Sequence, residues 1–517
     1  MNIRRTLQNT VDRFAEKPGI IFENKNISFK EIQERTLKLA NVLRGCGVAK
    51  GDKIAIYLPN SPEYVYSYLA CFHLGAVVVP MDYMLKGDEL TSCLGHSETK
   101  VLIARNRPDV DLGEIQENID CLETIILCGE PIEGSQNFKY IQYEDNVNKA
   151  DTKLPEVTIA DNDPAMIMYT SGTTGKPKGI LLNYKHLEGS PKAMEHFVDL
   201  TEKDIKLAAL PLSHIGGFIY IQNSILFGIT LVLMERFNPF KFLENIQQHK
   251  VTCFHIVPAM YTAILSLKQI ENFNLSSLRW VVVFGAPSSP EILKQFHRYC
   301  PNAKFLNGWG MTETCPPNTV TPMDSDNIAS VGKPAPSCHI AIVDEEDKEL
   351  PAGEIGEIVI SGWVIMDCYY KDPEATAEVK RNGRLYTGDL GKFDEQGFLY
   401  IVGRKKEMIK VAGQIVYAPE VEAAFQKNEN IAEVAVVGVP DDLRGEAVKA
   451  FIVFKEDGMK MSPEELKYFA KEHLAHFKVP QHIEIRTELP KNRTGKIDKT
   501  MLKEGPSVGQ SSMTSDQ

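Results

Sequence analysis

The sequence predicts an α/β fold of parallel sheets and helices, then an antiparallel β-rich stretch, then a small α+β domain. Three observations carry this. Helical patterns alternate with short aliphatic runs through the first 160 residues and again to about residue 284, the rhythm of crossover units and parallel sheets. After about residue 335 apolar runs are separated by Gly- and Asp-rich turns, as in antiparallel strands. The last 100 or so residues, beyond Gly403-Arg-Lys-Lys406, have an alternation of their own, enough for a separate small domain.

Each element has a local reason. Ser28 and Glu31 have capping-box spacing at the head of an amphipathic helix over Ser28–Gly45. Lys53–Leu58 reads as a strand, Glu63–Leu74 as a helix, Ala76–Pro80 as a buried strand and Val101–Ala104 as another. Strands are expected at Lys206–Leu210, Thr230–Met234, Cys253–Val257 and Trp280–Phe284, then at His339–Asp344, Glu357–Ile360 and Phe398–Val402. The final segment reads as helix 419–427, strands 432–438 and 447–454, helix 462–475 and strand 482–486. The expected division is 1–403, 404–503 and a tail over 504–517.

A chain of 517 residues suggests two to four domains of roughly 100–200 residues. Hydrophobic residues at 43% and charged residues at 24% exclude wholesale disorder. The net charge of −12 offers nucleic acid and anionic membranes no broad attraction, while leaving room for a local cationic pocket. Ten scattered cysteines without a CxxC pair read as reduced thiols and make structural zinc improbable. No secretory signal is expected from the N-terminal residues, which have no apolar stretch behind their basic ones, and there is no run of about 18 apolar residues. A soluble, cytoplasmic protein is expected, as monomer or homodimer, with no nucleic-acid partner and no membrane insertion.

The chemistry concentrates in Tyr169-Thr-Ser-Gly-Thr-Thr-Gly-Lys-Pro-Lys-Gly179, which follows the apolar Ala165–Met168. Glycines allow tight turns, and hydroxyls, backbone N–H groups and lysines can surround phosphate oxygens. The spacing departs from the common nucleotide-triphosphatase loop, because only two residues separate Gly172 from Gly175 and Pro177 follows Lys176.

This segment resembles the signature of the adenylate-forming superfamily: acyl-CoA synthetases, luciferases and peptide-synthetase adenylation domains. The likeness continues, in order, through Asn307–Glu313, Gly353–Glu357, Tyr386–Leu390, Gly403–Lys410 and Pro490–Lys496. It implies a large domain of layered sheets with a small β-barrel-like subdomain, and a small mobile C-terminal domain. It also implies a two-step reaction: a carboxylate attacks the α-phosphorus of ATP, and a thiol, usually coenzyme A, then displaces AMP.

Roles follow by position. Thr170, Ser171, Gly172, Thr173, Thr174, Gly175 and Lys178 resemble the loop around the β- and γ-phosphates. Glu313, with Thr174, resembles the magnesium ligands, and Thr312 a donor to the α-phosphate. Gly285, Ala286, Asn307, Gly308, Trp309 and Gly310 resemble cofactor-binding residues, with Trp309 the aromatic that stacks on adenine and Gly285, Ala286, Gly308 and Gly310 also bordering the acyl pocket. Asp389 resembles the acceptor of both ribose hydroxyls and Arg404 a second ribose contact. Lys496 resembles the lysine that reaches the carboxylate and α-phosphate during adenylate formation. Lys406 resembles the hinge residue, and Lys410 and Gly413 the loop that rotation brings to the site.

On the acyl side, His214 resembles a gate beside the carboxylate, and Phe218, Phe254, Val257, Phe284 and Gly310 are placed along the pocket. A His at 214 cannot hold a substrate ammonium, which disfavours amino acids. Phe284 stands where a small residue is usual and should shorten or redirect the acyl tunnel; Ala418-Pro419 and Cys368 also depart from the family pattern. The expected activity is ligation of an apolar acid, short- or medium-chain, alicyclic or aromatic, to coenzyme A. Transfer to a carrier protein, a luciferase-like oxygenase and a non-catalytic nucleotide-binding relative are the alternatives. Intact Glu313, Asp389, Arg404 and Lys496 argue against the last.

Overall fold

The computed structural model describes residues 3–131, 140–170, 178–285, 290–441, 443–456, 458–491 and 497–504. The chain forms two compact units. The first is Met1–Gly285, Ile292–Ile340 and Ile360–Tyr386; the second is Ala286–Glu291, Ala341–Val359 and Thr387–Gln517. Compactness thus divides the chain ahead of Gly403–Lys406, which falls inside the second unit. A division at 403–404 would be one of movement.

The first unit holds two large sheets. One has nine strands, with Lys304–Trp309, Trp280–Val283, Cys253–Ile256, Ile205–Ala208 and Thr230–Leu233 side by side at its centre, all parallel. The other has eight, in which Val77–Pro80, Lys53–Tyr57, Thr99–Arg105 and Thr124–Cys128 are parallel. Parallel strands are covered on both faces, and the aliphatic runs predicted as strands are these buried ones. The expected strands overran the observed ones at their carboxyl ends: Val257 and Phe284 fall just beyond Cys253–Ile256 and Trp280–Val283. Their apolar side chains continue the pattern, but they have left the ladder at the end of a parallel sheet where ligands bind.

The helix Phe29–Gly45 starts as expected, with Ser28 and Glu31 in a complete capping box. Pro62–Leu74 begins at Pro62 behind the Ser61 cap, ends on left-handed Gly75, and is buried around most of its circumference. An unforeseen helix, Ile3–Phe14, buries Ile3, Leu7, Thr10 and Val11, spaced as one helical face. All ten cysteines are free, and no helix among the described residues is long and apolar enough to cross a membrane.

The β-subdomain expected before residue 404 is a five-stranded sheet that includes Gly356–Ser361, Arg384–Phe393 and Leu399–Arg404. In the second unit another five-stranded sheet is built on the antiparallel pair Ile431–Asp441 and Gly445–Phe454, with His482–Ile485 added in parallel. Helices Ala418–Gln426 and Pro463–His473 bring Val421, Phe425, Leu466 and Ala470 into one core with Ile409, Val436 and Ile452. Ala435, Val437, Phe451 and Val453 form a second cluster with Leu489 and Leu502.

Candidate active site

In the first unit the phosphate segment is framed by a hairpin. Pro164–Thr170 and Lys178–Asn183 pair antiparallel with Thr170 opposite Lys178. Ser171, Gly172, Thr173, Thr174 and Gly175, which lie between them, are outside the described residues, as are Ala286 and Lys496. The short strand Cys368–Tyr369 joins this hairpin, with Tyr369 opposite Ile180. The Lys178 ammonium stands 4.9 Å over the Tyr369 ring, and the Tyr369 hydroxyl donates to Glu313 Oε1 at 3.0 Å. Burial first, then the Glu313 charge and hydrogen bond, push the phenol above its ordinary pKa, so Tyr369 stays a neutral donor.

Glu313 sits buried in the one-turn 3-10 helix Thr312–Thr314, and its backbone carbonyl accepts from Met366 N at 2.6 Å. Tyr369 had no role in the sequence reading; the Tyr-Tyr pair after Cys368 was the available signal, but nothing local linked it to residue 313. Among the described residues no group of three or more His, Cys, Asp or Glu side chains could cage a metal ion. Magnesium needs no cage: it takes one or two carboxylates and completes its shell with substrate phosphates and water. A buried Glu313 oriented by a neutral phenol fits that demand.

Asn307, Gly308 and Trp309 lie on the strand Lys304–Trp309, Gly310 follows it, and Gly285 follows Trp280–Val283. Asn307 spends its side chain on the fold, donating Nδ2 to the Ile328 carbonyl at 3.4 Å. Trp309 is half-buried opposite Thr319. A Cβ on Gly310 would come within 2.5 Å of Pro316 Cβ and 2.7 Å of Asn318 Oδ1, so glycine is a packing requirement there.

His214 caps the helix Ile215–Phe227, its Nε2 3.6 Å from Asp82 Oδ2. The Phe284 ring lies over the bare Cα of Gly308: a Cβ at 308 would sit 2.1 Å from Phe284 Cε1. The ring also meets His255 edge-on, centroids 5.9 Å apart, and Val257 flanks Gly285, which adopts φ +89°. Phe218 and Phe254 both pack among other aromatic rings. Phe218 is buried against Tyr68 and Phe72, and Phe254 lies in the aromatic core of Phe242, Tyr261 and Phe296.

In the second unit Asp389 and Arg404 are cross-strand partners. Arg404 Nε lies 3.0 Å from the buried Asp389 Oδ1. Glu357 fixes the neighbourhood: Oε1 accepts from Gly388 N at 3.1 Å and Oε2 pairs with Lys405 at 2.9 Å. The sequence reading quoted Glu357 within a motif and gave it no role. Lys406 sits in the 3-10 turn Lys405–Glu407, its pKa lowered by desolvation and then by the Arg404 charge. Lys410 and Gly413 belong to the hairpin of Met408–Val411 and Gln414–Tyr417. Its two turn residues, Ala412 (φ 49°) and Gly413 (φ +82°), both have positive φ, as a tight two-residue hairpin requires.

The model of the AMP-binding enzyme family matches residues 7–370, and that of the AMP-binding enzyme C-terminal domain residues 420–496. A long-chain-fatty-acid–CoA ligase of Bacillus subtilis is 34% identical over 97% of this chain and 94% of its own. A crotonobetaine/carnitine–CoA ligase of Salmonella typhimurium is 31% identical over 97% of this chain and 99% of its own. Among solved structures, an anthranilate CoA ligase in complex with anthranoyl-AMP superposes with TM-score 0.91 at 28% identity, covering 97% of this chain and 96% of that one. The o-succinylbenzoate CoA synthetase of Bacillus subtilis with ATP and magnesium gives 0.82 at 29% identity, covering 95% and 98%.

The chain belongs to the AMP-binding, adenylate-forming enzyme family. Within that family its relatives are acyl-CoA synthetases, and it is one of them.

Proposed function

We propose that the enzyme activates an apolar carboxylic acid, short- or medium-chain, alicyclic or aromatic, to its acyl-adenylate and transfers the acyl group to coenzyme A. The observation that carries the acid class is the Phe284 ring packed on Gly308, which fills volume at a strand end where a long chain would need space. Relatives of similar likeness are named for acids as different as fatty acids and crotonobetaine, so specificity falls to a few pocket side chains. His214 contributes no fixed negative charge for a substrate ammonium.

The first step joins two anions, so neutralisation and alignment supply the rate. Lys178 and Thr170 serve the β- and γ-phosphates with Ser171, Thr173 and Thr174, while Thr312 and Lys496 serve the α-phosphate and the attacking carboxylate. Glu313 would hold magnesium, whose charge draws off that of the leaving pyrophosphate. Asp389, neutralised by Arg404, is suited to accepting neutral ribose hydroxyls. For the second step, rotation at Lys406 would retire Lys496 and present the Lys410–Gly413 hairpin. Reducing, cytoplasmic conditions suit ten free cysteines.

The test is ATP- and CoA-dependent AMP formation across linear, branched, alicyclic and aromatic acids of graded size. Turnover should peak at compact acids. A peak at long chains would remove the assigned class, and no AMP with any acid would remove the activity.

A further inference from the structure

Lys499 occupies a position that its own helix does not explain. It is the first residue of Lys499–Glu504, where the aligned peptide dipoles disfavour a cation. The helix start is served instead by Asp498, whose Oδ1 accepts from Thr500 N at 3.0 Å and Met501 N at 3.2 Å. The Lys499 ammonium turns to two carboxylates, Glu422 Oε1 at 2.8 Å and Glu407 Oε2 at 3.4 Å. Burial alone would lower its pKa; Glu422 and Glu407 more than reverse that, and it is raised.

Neither acceptor is a loose surface group. Glu422 belongs to the helix Ala418–Gln426, and its Oε1 also accepts from Val436 N at 2.8 Å. Glu407 closes the turn Lys405–Glu407, next to Lys406. On the other side of the segment, Lys491 pairs with Glu433 and bridges to Ile497, while Leu502 packs with Val437 and Phe451. Three residues of chain reach at most about 11 Å, so what fixes Lys499 limits where Lys496 can act.

We propose that Lys499 is a positioning residue for adenylate formation, its bridge to Glu407 and Glu422 tying the chain that carries Lys496 to the turn that carries Lys406. This rests on the reading that Lys496 serves the first half-reaction and Lys406 the change between them. The bridge makes the two segments move together. It acts on alignment rather than on nucleotide binding, and misplacement of a reacting group by about 1 Å can cost a hundredfold in rate.

The test measures the half-reactions separately in the full-length enzyme: pyrophosphate exchange for adenylation, and thioester formation from supplied acyl-adenylate and coenzyme A. Lys499→Met should lower the exchange kcat by about tenfold or more, with the KM for ATP and the thioester step changed less than about twofold. Lys499→Arg should restore most of the exchange. Glu407→Gln, which keeps the Glu422 contact, should give a smaller loss in the same half-reaction and covers the case of a poorly folded Lys499→Met. Unchanged exchange in both Lys499→Met and Glu407→Gln overturns the proposal. So does an equal fall in both half-reactions, the mark of a merely structural pair. Lys496→Ala, run alongside, separates the two ideas. If it exchanges normally, the Lys496 reading fails; if it collapses while Lys499→Met does not, only the positioning role fails.

Discussion

Two lysines drawn out of water in different regions of the molecule are accommodated in opposite ways. In the central sheet of the first unit, Lys206 is completely buried, its ammonium 5.6 Å from the Tyr220 ring and 5.2 Å from the Trp280 ring. It has no hydrogen-bond partner among the described residues, and desolvation lowers its pKa to about 8. In the second unit Lys499 meets two carboxylates and its pKa is raised. Desolvation is common to both; the partner decides the outcome. Aromatic faces return about 2 kcal/mol to a desolvated cation, less than its lost hydration, whereas paired carboxylates return more. The first unit holds a proton loosely, and the second holds a charge it keeps.

The largest expected effect would break this comparison at the chemistry, where the second unit's cations are needed. Lys496→Ala should collapse acyl-adenylate formation and spare the thioester step started from supplied adenylate. Lys406→Pro should do the reverse, because proline fixes φ near about −65°. Pyrophosphate exchange and CoA transfer, assayed separately, should give this crossed pattern; loss of the same step in both variants rules out alternation about residue 406.

Next, Asp389→Asn tests whether a carboxylate already paired with a guanidinium still serves the nucleotide. Charge-assisted hydrogen bonds contribute about 1.5–3 kcal/mol each, so ATP affinity measured by calorimetry should fall more than about tenfold. Equal affinity would remove Asp389 from the site.

The lysines themselves come third. Lys206 binds its proton less tightly folded than unfolded, so its penalty is present at pH 7 and is relieved as pH rises from about 8 toward 10.5. Lys206→Met should therefore stabilise the protein at pH 7, by up to about 3 kcal/mol, with the advantage shrinking above pH 8. Lys499 has the opposite sign: its contribution is complete below 10.5 and is lost only as pH rises through its raised folded value. Lys499→Met should cost about 2–3 kcal/mol at pH 7. Denaturant melts at pH 7 and 9.5 measure both, and parallel pH slopes would erase the distinction.

The smallest effect concerns the acyl end. Phe284→Gly should broaden acceptance toward longer or bulkier acids, at about 1–3 kcal/mol per discriminated methylene. An unchanged ranking of acids in a folded variant would acquit the ring.

What the sequence revealed and withheld follows from the range of the forces involved. The Ser28–Glu31 cap spans three residues, and both partners can be read together. The parallel strands were visible as aliphatic runs, but their ends were not, because Val257 and Phe284 stay apolar after leaving the ladder. The Asp389–Arg404 pair was anticipated only through motif likeness. Tyr369 on Glu313, Glu357 on Lys405 and Lys499 on Glu407 remained hidden. Each joins residues 48 to 92 positions apart, and no local pattern encodes a partner that only folding supplies.

The bare Cα of Gly308 beneath Phe284 gives the acyl pocket a history-dependent route for change. A methyl at 308 would collide with the ring at 2.1 Å and press the Thr319 carbonyl oxygen at 2.9 Å. Removing the ring first takes away the closer contact and leaves the backbone one, at which the chain around Thr319 must still give. Gly308→Ala should thus be costly in both backgrounds but more so in the parent enzyme than beside Phe284→Gly, and the pair should fail additivity by a measurable coupling energy. Substrate range can then widen in one order of substitutions and not the other. Phe284 has to go, and the backbone at Thr319 has to give, before residue 308 can carry a side chain; once it does, the return of the ring is blocked.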